Sequence, residues 1–288
     1  MSLKTKQIST IFAIFADSMY RMRNILIFIL VAVAGVSCGE YQRIYKKGTA
    51  AQKQQKAMEL YGKKEYAKSV QLLEQLRDMY KVRDSLENVY YHMAMSYYHL
   101  KDYPYASLFF KDYTDNFTQA DRVIECAYMS LYCDVLAIGP ADLDQADTKK
   151  VMEALQMFTN YYPDSEYAQK CNDHIDLLRG KLQKKEFEMA EQYYLMGEFK
   201  SAAVAAKNTV KLYPDMQQRE TLEWMAVDAQ FQYAENSIKS KRLERFQMVL
   251  ENIQDYLYTH PEESSHHSAV KKIEALTKKR IKEIEAIL

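Results

Sequence analysis

Histidines are the first residues to consider for chemistry, because this 288-residue chain contains only 6 of them. His92 and His99 are seven residues apart, so one helix would carry both on the same face. A metal ion in a protein normally takes three or four ligands, and no third ligand accompanies this pair. We therefore interpret both as solvated or groove-edge histidines and predict no metal site.

Catalytic patterns are absent from the sequence, which contains no HExxH, no CxxC and no recognisable Ser-His-Asp arrangement. A cluster of carboxylates, Asp142, Asp144 and Asp147, follows the loop signal Gly139-Pro140. No apolar pocket is identifiable around these side chains, so we interpret them as a solvated acidic loop. The sequence predicts that the protein is not an enzyme.

Glycine content and charge exclude two further classes of function. None of the 7 Gly residues stands in a GxGxxG or GxxxxGK arrangement, so a nucleotide phosphate cradle is not expected. The 39 basic residues balance 39 acidic ones, whereas nucleic-acid-binding proteins normally carry a basic excess. We predict no cofactor and no nucleic acid partner.

Cys38 is the residue with the most specific predicted chemistry, namely attachment of lipid. It follows an apolar run over Ile25–Val36, which is shorter than the roughly 20 residues that a membrane-spanning helix needs. The run with its basic flank and small residues resembles a bacterial lipoprotein signal, in which residues 1–37 are removed and Cys38 is acylated. Gly35 stands where such signals usually carry Leu, and the alternative is a cleaved signal with an incidental Cys.

The signal segment also affects where the chain begins and what charge it carries. Its charged region is unusually long, so we expect the translation start at Met19 or Met22. Removal of residues 1–37 takes away four basic residues and one acidic residue, which leaves 35 basic and 38 acidic. The remaining 251 residues, 38–288, suit one repeat domain better than two separate domains.

The other three cysteines are predicted to be buried thiols. Cys126 and Cys133 are seven residues apart on one predicted helix, hence about 10 Å apart along its axis, which is beyond disulfide reach. Cys171 has no nearby partner in the sequence. Free cysteines of this kind behave as small apolar residues.

An internal repeat dominates the rest of the chain. Three segments place a small residue, an aromatic or Leu one turn later, a short turn, and then an aromatic and a small residue on a returning helix. They begin at Ala57, Ala94 and Ala190. This is the tetratricopeptide (TPR) pattern, a helix–turn–helix unit of about 34 residues.

The pattern predicts an all-α TPR solenoid over residues 38–288, with about five helix pairs and a C-terminal capping helix. The repeats are expected near 49–81, 84–117, 119–163, 165–214 and 216–261, and the capping helix at 262–288. Pro163, Pro214 and Pro261 mark the ends of second helices. The stretch from Ser165 to Met196 lacks Pro and predicts one long helix.

A TPR solenoid offers a groove lined by the first helix of each pair. The predicted groove carries large apolar and aromatic side chains, which are suited to binding a peptide. These residues are Tyr61, Tyr91, Met95, Tyr98 and Tyr128. The alternative is that the same residues only pack one repeat against the next.

Basic clusters lie near the C-terminal end. Lys241, Arg242 and Arg245 follow the turn of the fifth repeat and are candidates for contact with an acidic partner, the alternative being a solvated turn. Lys271-Lys272 and Lys278–Arg280 lie on the predicted terminal helix, where they can compensate its dipole or meet an anionic surface.

A lipoprotein signal followed by five TPR-like units resembles the BamD family of outer-membrane β-barrel assembly lipoproteins. The segments that carry the resemblance are Phe158–Ala168, Leu177–Leu182, Tyr193–Ala203 and Tyr213-Pro214. The resemblance implies an adaptor anchored by lipid at Cys38 to the periplasmic face of the outer membrane. It also implies binding of a BamA-type insertase through the C-terminal repeats and of unfolded outer-membrane proteins through the N-terminal repeats.

Two other classes stay open at this point. One is a different TPR adaptor of the cell envelope, although such proteins usually lack lipid and carry a coiled coil. The other is a SusD-like nutrient-binding lipoprotein, a class of longer chains with Trp-rich glycan platforms. The single Trp of this chain, Trp224, argues against the second class.

Overall fold

A computed structural model of the chain describes residues 39–80, 83–139 and 146–287. Every regular element in these residues is a helix, as the sequence predicts. The helices fall into two compact units: unit 1 ends at Ala137, and unit 2 begins at Ile138. The predicted signal segment, Cys38 and the carboxylates Asp142 and Asp144 lie outside the described residues.

Unit 1 contains six helices in its described part. Consecutive helices from α2 to α6 pack side by side, joined by short turns. The bounds are α1 at 39–47, α2 Ala50–Gly62, α3 Tyr66–Met79, α4 Arg83–His99, α5 Tyr103–Asn116 and α6 Val123–Ala137.

Unit 2 also contains six helices in its described part, and each packs on the next along the chain. The predicted long helix is confirmed as α8, with 28 residues. The bounds are α7 Ala146–Tyr161, α8 Ala168–Leu195, α9 Phe199–Leu212, α10 Arg219–Glu235, α11 Lys239–Thr259 and α12 His267–Glu285.

The helix order agrees with a TPR-like arrangement of helix pairs followed by a terminal helix. The helices α7, α9 and α11 each end two residues before a proline, namely Pro163, Pro214 and Pro261, because proline cannot donate a backbone hydrogen bond and disfavours helical backbone in the residue before it. The repeat boundaries and a single solenoid over residues 38–288 stay predictions.

The small residues of the repeat template lie where the two helices of a pair cross. Ala57, Ala94 and Ala190 are completely buried, and so are the small residues on the returning helices, Ser69, Ala106 and Ala202. In the first pair the Ser69 hydroxyl donates to the backbone carbonyl of Ala57 at 2.8 Å. A larger side chain at these crossings would separate the helices.

The turn inside three pairs has the same left-handed geometry. Lys64, Lys101 and Gly197 occupy one position of the repeat template and have φ angles of 62°, 62° and 77°. In each turn, the next residue donates its backbone N–H to a carbonyl of the first helix, for example from Glu65 to Leu60 at 2.9 Å. This satisfies carbonyls that the end of a helix would otherwise leave free.

The prediction of buried thiols is confirmed for the three cysteines of the described residues. Cys126, Cys133 and Cys171 are free and have no solvent exposure. Burial raises the pKa of Cys126 and Cys133 to about 12 and that of Cys171 to about 11. The thiols therefore stay protonated and unreactive at neutral pH.

Candidate functional site

The five residues of the predicted groove all lie on first helices of unit 1. Tyr61 is near the end of α2, Tyr91, Met95 and Tyr98 lie on α4, and Tyr128 lies on α6. Their helices are positioned by the buried helix crossings described above.

Histidine and tyrosine rings join four of these residues into one continuous row. The imidazole of His92 contacts the rings of Tyr61 and Tyr91, with centroids 5.0 Å and 5.4 Å away. His99 lies between Tyr61 and Tyr98, at 6.2 Å and 5.6 Å. We call the following residues the aromatic row: Tyr91, His92, Tyr61, His99, Tyr98, Tyr132 and Tyr128.

The far end of the aromatic row depends on Tyr132. Its ring lies 6.2 Å from that of Tyr98 and stacks on that of Tyr128 at 5.9 Å and 5°. Tyr128 is only 7% exposed, so packing accounts for its own ring. Met95 packs against the core of unit 1, while Tyr61, Tyr91 and Tyr98 are half-buried.

The aromatic row is electrically neutral at pH 7. Burial lowers the pKa of His92 and His99, and Lys64 lowers that of His99 further. Burial likewise raises the pKa of Tyr61 and Tyr98. Neutral imidazole and phenol rings form a surface that suits apolar and aromatic groups better than charged ones.

Tyr91 is the most constrained member of the row. Its hydroxyl donates to Glu125 Oε1 at 3.0 Å, and the guanidinium of Arg122 lies 4.6 Å from its ring centre. Arg122 also donates to Asn88 Oδ1 at 3.2 Å. Burial and the Glu125 carboxylate raise the pKa of Tyr91, which fixes the phenol in its protonated form.

Sequence reasoning missed Tyr66 and Tyr132 as parts of this surface. The Tyr66 ring stacks on His99 at 4.4 Å and 15°. Tyr132 follows Tyr128 by four residues, the spacing of side-chain neighbours on one helix face, and this signal was available in the sequence. His92 is half-buried and His99 is exposed, and their place at the edge of a binding groove stays a prediction. Within the described residues no three His, Cys, Asp or Glu side chains are grouped for a metal ion.

The basic cluster predicted to bind a partner lies at the turn between α10 and α11. Arg242 donates to the backbone carbonyls of Ser237 and Glu235, at 3.0 Å and 2.5 Å. Arg245 donates to the Ser237 hydroxyl and stacks 4.1 Å from the ring centre of Tyr233. Both arginines therefore cap the C-terminus of α10.

Lys241 differs from the two arginines because it remains exposed, with an ion pair to Glu244 at 3.0 Å. Ile238, at the tip of the same turn, is 70% exposed. A single exposed apolar side chain is common on protein surfaces, so Ile238 does not by itself mark a contact site.

Unit 2 has its own ring contacts along its first helices. The Trp224 indole stacks on the His266 imidazole at 4.6 Å and lies 6.1 Å from the Tyr194 ring. The Tyr194 hydroxyl donates to Asp228 Oδ2 at 2.5 Å. These rings lie beside the carboxylates of Asp228 and Glu220, as Tyr91 of the aromatic row lies beside Glu125.

The acidic loop of the sequence contributes one described carboxylate, which is exposed. Asp147 lies in the first turn of α7 and pairs with Lys150 at 3.1 Å. Such an exposed pair is worth less than about 1 kcal/mol.

Comparison with known proteins identifies the family. A family model described as YfiO, outer membrane lipoprotein, matches residues 46–245, which are 200 of the 288 residues. No curated protein matches the chain. Among the described residues, none of the helices combines the length and apolar character needed to cross a membrane. The chain belongs to the YfiO family of outer membrane lipoproteins, which is the BamD family.

Proposed function

We propose that the protein is a non-catalytic, lipid-anchored adaptor of the outer-membrane β-barrel assembly machinery, on the periplasmic side of the membrane. It holds a BamA-type insertase through unit 2 and receives unfolded segments of outer-membrane proteins on unit 1. The single observation that carries the proposal is the family match over residues 46–245.

The anchor of this adaptor is lipid on Cys38. Helix α1 begins at residue 39, immediately after that position, so little free chain would separate the lipid from unit 1. Lipid at this position gives an attachment to the membrane that needs no spanning helix.

The client surface is the aromatic row with Met95. Segments that will become membrane strands alternate apolar and polar residues and carry many aromatic side chains. Neutral rings offer such segments a large contact area with polar tips, and Met95 adds an adaptable apolar contact. Tyr128 supports Tyr132 in this scheme, because its own ring is buried.

The insertase surface is the turn between α10 and α11. Ile238 supplies an apolar contact, and Lys239 and Lys241 supply cations for an acidic partner. Arg242 and Arg245 hold the turn in shape through their bonds to Ser237 and Glu235. They contribute to partner binding by positioning the exposed residues.

The insertase contact is tested by purification from outer membranes in detergent, with identification of the proteins that accompany the chain. We expect the wild type to bring down an insertase and the variant Ile238→Asp/Lys241→Glu to lose it. The control Lys272→Glu alters another exposed lysine of unit 2 and should retain the insertase. Recovery of other envelope proteins in place of an insertase would show that the chain is a different adaptor.

The client contact is tested with peptides from the strands of outer-membrane proteins. The variant Tyr61→Ala/Tyr98→Ala removes two rings of the aromatic row and should weaken binding roughly tenfold or more. Its matched control is Tyr161→Ala/Tyr258→Ala, which removes two tyrosines of unit 2 that are 74% and 93% exposed. Equal affinities for the two variants, both with native helix content, would exclude the aromatic row as the client surface.

A further inference from the structure

Helix α1 is packed onto unit 1 by one of its faces. Tyr41 is buried, and its hydroxyl donates to Gln71 Oε1 of α3 at 2.7 Å. The ring of Tyr45 stacks on that of Tyr41 at 5.9 Å, and Ile44 packs against the same core. The inner face of α1 therefore consists of Tyr41, Ile44 and Tyr45.

Two buried lysines of α2 hold α1 in place. Lys53 donates to the backbone carbonyl of Tyr45 at 3.1 Å, and Lys56 pairs with Glu40 at 3.0 Å. Both lysines are buried in unit 1. The turn between the helices passes so close that a Cβ on Gly48 would stand 2.5 Å from the carbonyl oxygen of Ile44. The orientation of α1 on unit 1 is therefore fixed.

The outer face of α1 carries three cations, Arg43, Lys46 and Lys47, all exposed. We call these three residues the basic α1 face. Within the described part of the chain, no carboxylate pairs with any of them. Glu40, the acidic residue of the helix, is already bound to Lys56.

Several cations of the terminal helix are neutralised by nearby carboxylates. On α12, Lys271 and Lys278 both pair with Glu274, at 3.1 Å and 2.6 Å. Arg280 pairs with Glu235 at 2.6 Å and with Glu283 at 3.0 Å. On the basic α1 face, by contrast, none of the three cations has an ion pair within the described residues.

The basic α1 face lies next to the expected lipid. By helix geometry, Arg43 is about 6 Å and Lys47 about 12 Å along the axis from residue 39. Beside the face, a polar cleft of about 510 Å³ opens between α1 and α2. Arg43, Lys47, Gln52 and Gln55 line it, together with Glu40 and Glu59, whose carboxylates both pair with Lys56. The guanidinium, ammonium and amide groups among these side chains can donate hydrogen bonds to phosphate oxygens.

We propose that the basic α1 face lies on an anionic phospholipid surface and orients unit 1 on the membrane. The proposal rests on the lipid anchor at Cys38 that is part of the proposed function. Acyl chains alone hold a protein at a bilayer but leave it free to tilt and rotate. A cationic face on a rigidly packed helix removes that freedom, because each Lys or Arg near an anionic surface is attracted to it.

The test uses the processed chain, residues 38–288, with Cys38→Ser so that no acyl group contributes. Vesicles contain phosphatidylcholine alone or equal parts of phosphatidylcholine and phosphatidylglycerol, and binding is measured by co-sedimentation. We expect binding to the anionic vesicles only, and weaker binding as salt is raised. The variant Arg43→Glu/Lys46→Glu/Lys47→Glu should bind at least roughly a hundredfold more weakly.

A matched control separates position from net charge. Lys149, Lys200 and Lys272 of unit 2 are exposed and, within the described residues, have no ion pair. Their triple change to Glu alters the net charge equally and should retain most of the binding. A neutral variant, Arg43→Gln/Lys46→Gln/Lys47→Gln, with native helix content should also lose affinity.

Three results would overturn the proposal: equal binding to both kinds of vesicle, equal losses in the two triple-Glu variants, or displacement by inorganic phosphate at constant ionic strength. The last result would identify a site for free anions. The mass of the chain extracted from native membranes reports separately on Cys38. A missing acyl mass would refute the anchor of the proposed function, whereas the vesicle measurement would still decide the basic α1 face.

Discussion

The two units use the same plan of packed helices and the same small residues at their helix crossings, but two of their helix contacts are filled differently around those residues. In unit 1 the core between α4 and α5 contains large side chains, including Met93, Phe110 and Tyr113, which are completely buried. In unit 2 the contact between α9 and α10 is made by alanines, including Ala202, Ala206 and Ala229, which are also completely buried. Large rings keep helices apart, whereas alanines allow their backbones to approach closely.

The surfaces that the units present also differ. In unit 1, rings of the first helices α2, α4 and α6 form the aromatic row. In unit 2 the ring contacts join Tyr194, Trp224 and His266. The longer run of rings in unit 1 is the reason why the proposed function assigns the client to that unit.

Both units contain a hydrogen bond from a tyrosine of one first helix to a carboxylate of the next, although the two tyrosines occupy different positions of the repeat template. Tyr91 donates to Glu125 in unit 1, and Tyr194 donates to Asp228 in unit 2. In both cases the partners are 34 residues apart, which is one TPR repeat. The tyrosine–carboxylate pair thus joins first helices of successive repeats even where the packing around it differs.

The largest predicted effect on stability comes from a mutation that empties part of the core of unit 1. Phe110→Ala empties a completely buried site on α5, and we expect it to lower the free energy of unfolding by about 3–5 kcal/mol. Urea unfolding followed by circular dichroism measures the loss. Phe110→Leu is the control and should cost clearly less, because most of the volume is retained.

The second largest effect on stability is expected when a larger side chain is placed in the alanine contact between α9 and α10 of unit 2. Ala229→Leu adds three carbons where α9 and α10 touch, and we expect a loss of about 1–3 kcal/mol in the same measurement. Ala275 on α12 is exposed, so Ala275→Leu should change stability little. A neutral result for Ala229→Leu would mean that the contact is not closely packed.

The tyrosine–carboxylate pairs offer a smaller and directly comparative test. Tyr194→Phe removes a hydrogen bond to the Asp228 carboxylate, and we expect a loss of about 1.5 kcal/mol. Tyr91→Phe should cost less than about 1 kcal/mol, because its ring, with the Arg122 guanidinium 4.6 Å from the ring centre, would be retained. Equal losses would show that Arg122 gives no compensation.

The smallest predicted effect concerns pH and unit 1. The folded pKa of His92 lies below its unfolded value of about 6.5, so the unfolded chain binds more protons as the pH falls. We therefore expect His92 to contribute stability above pH 6.5 that is lost progressively as the pH is lowered through its folded pKa. His92→Gln should make the free energy of unfolding less dependent on pH between 7 and 5, by less than about 1 kcal/mol.

The fold was largely predictable because its signals are local. These signals are the small residues at helix crossings, the prolines after helices, and the turn position of Lys64, Lys101 and Gly197. Each of them determines structure within one helix pair. The family was predictable for the same reason, since its motifs are short and contiguous.

The candidate site was only partly predictable, because its details depend on contacts between helices. Tyr128 is buried because Tyr132 stacks on it, and Arg242 and Arg245 are occupied because the C-terminus of α10 lies beside them. Helical spacing gives the direction of a side chain but does not give the neighbour that it meets. The pairing of charged side chains was the least predictable property, because ion pairs such as that of Lys56 with Glu40 join separate helices.

The left-handed turns have a practical consequence for handling the protein. A side chain with a Cβ at φ 62° costs roughly 1–2 kcal/mol, and unit 1 bears this cost at Lys64 and at Lys101. Unit 2 avoids it at the same template position with Gly197. Glycine at position 101 is therefore a route to a more heat-resistant protein that leaves the aromatic row and the basic α1 face untouched, whereas glycine at position 64 would also remove the charge that lowers the pKa of His99.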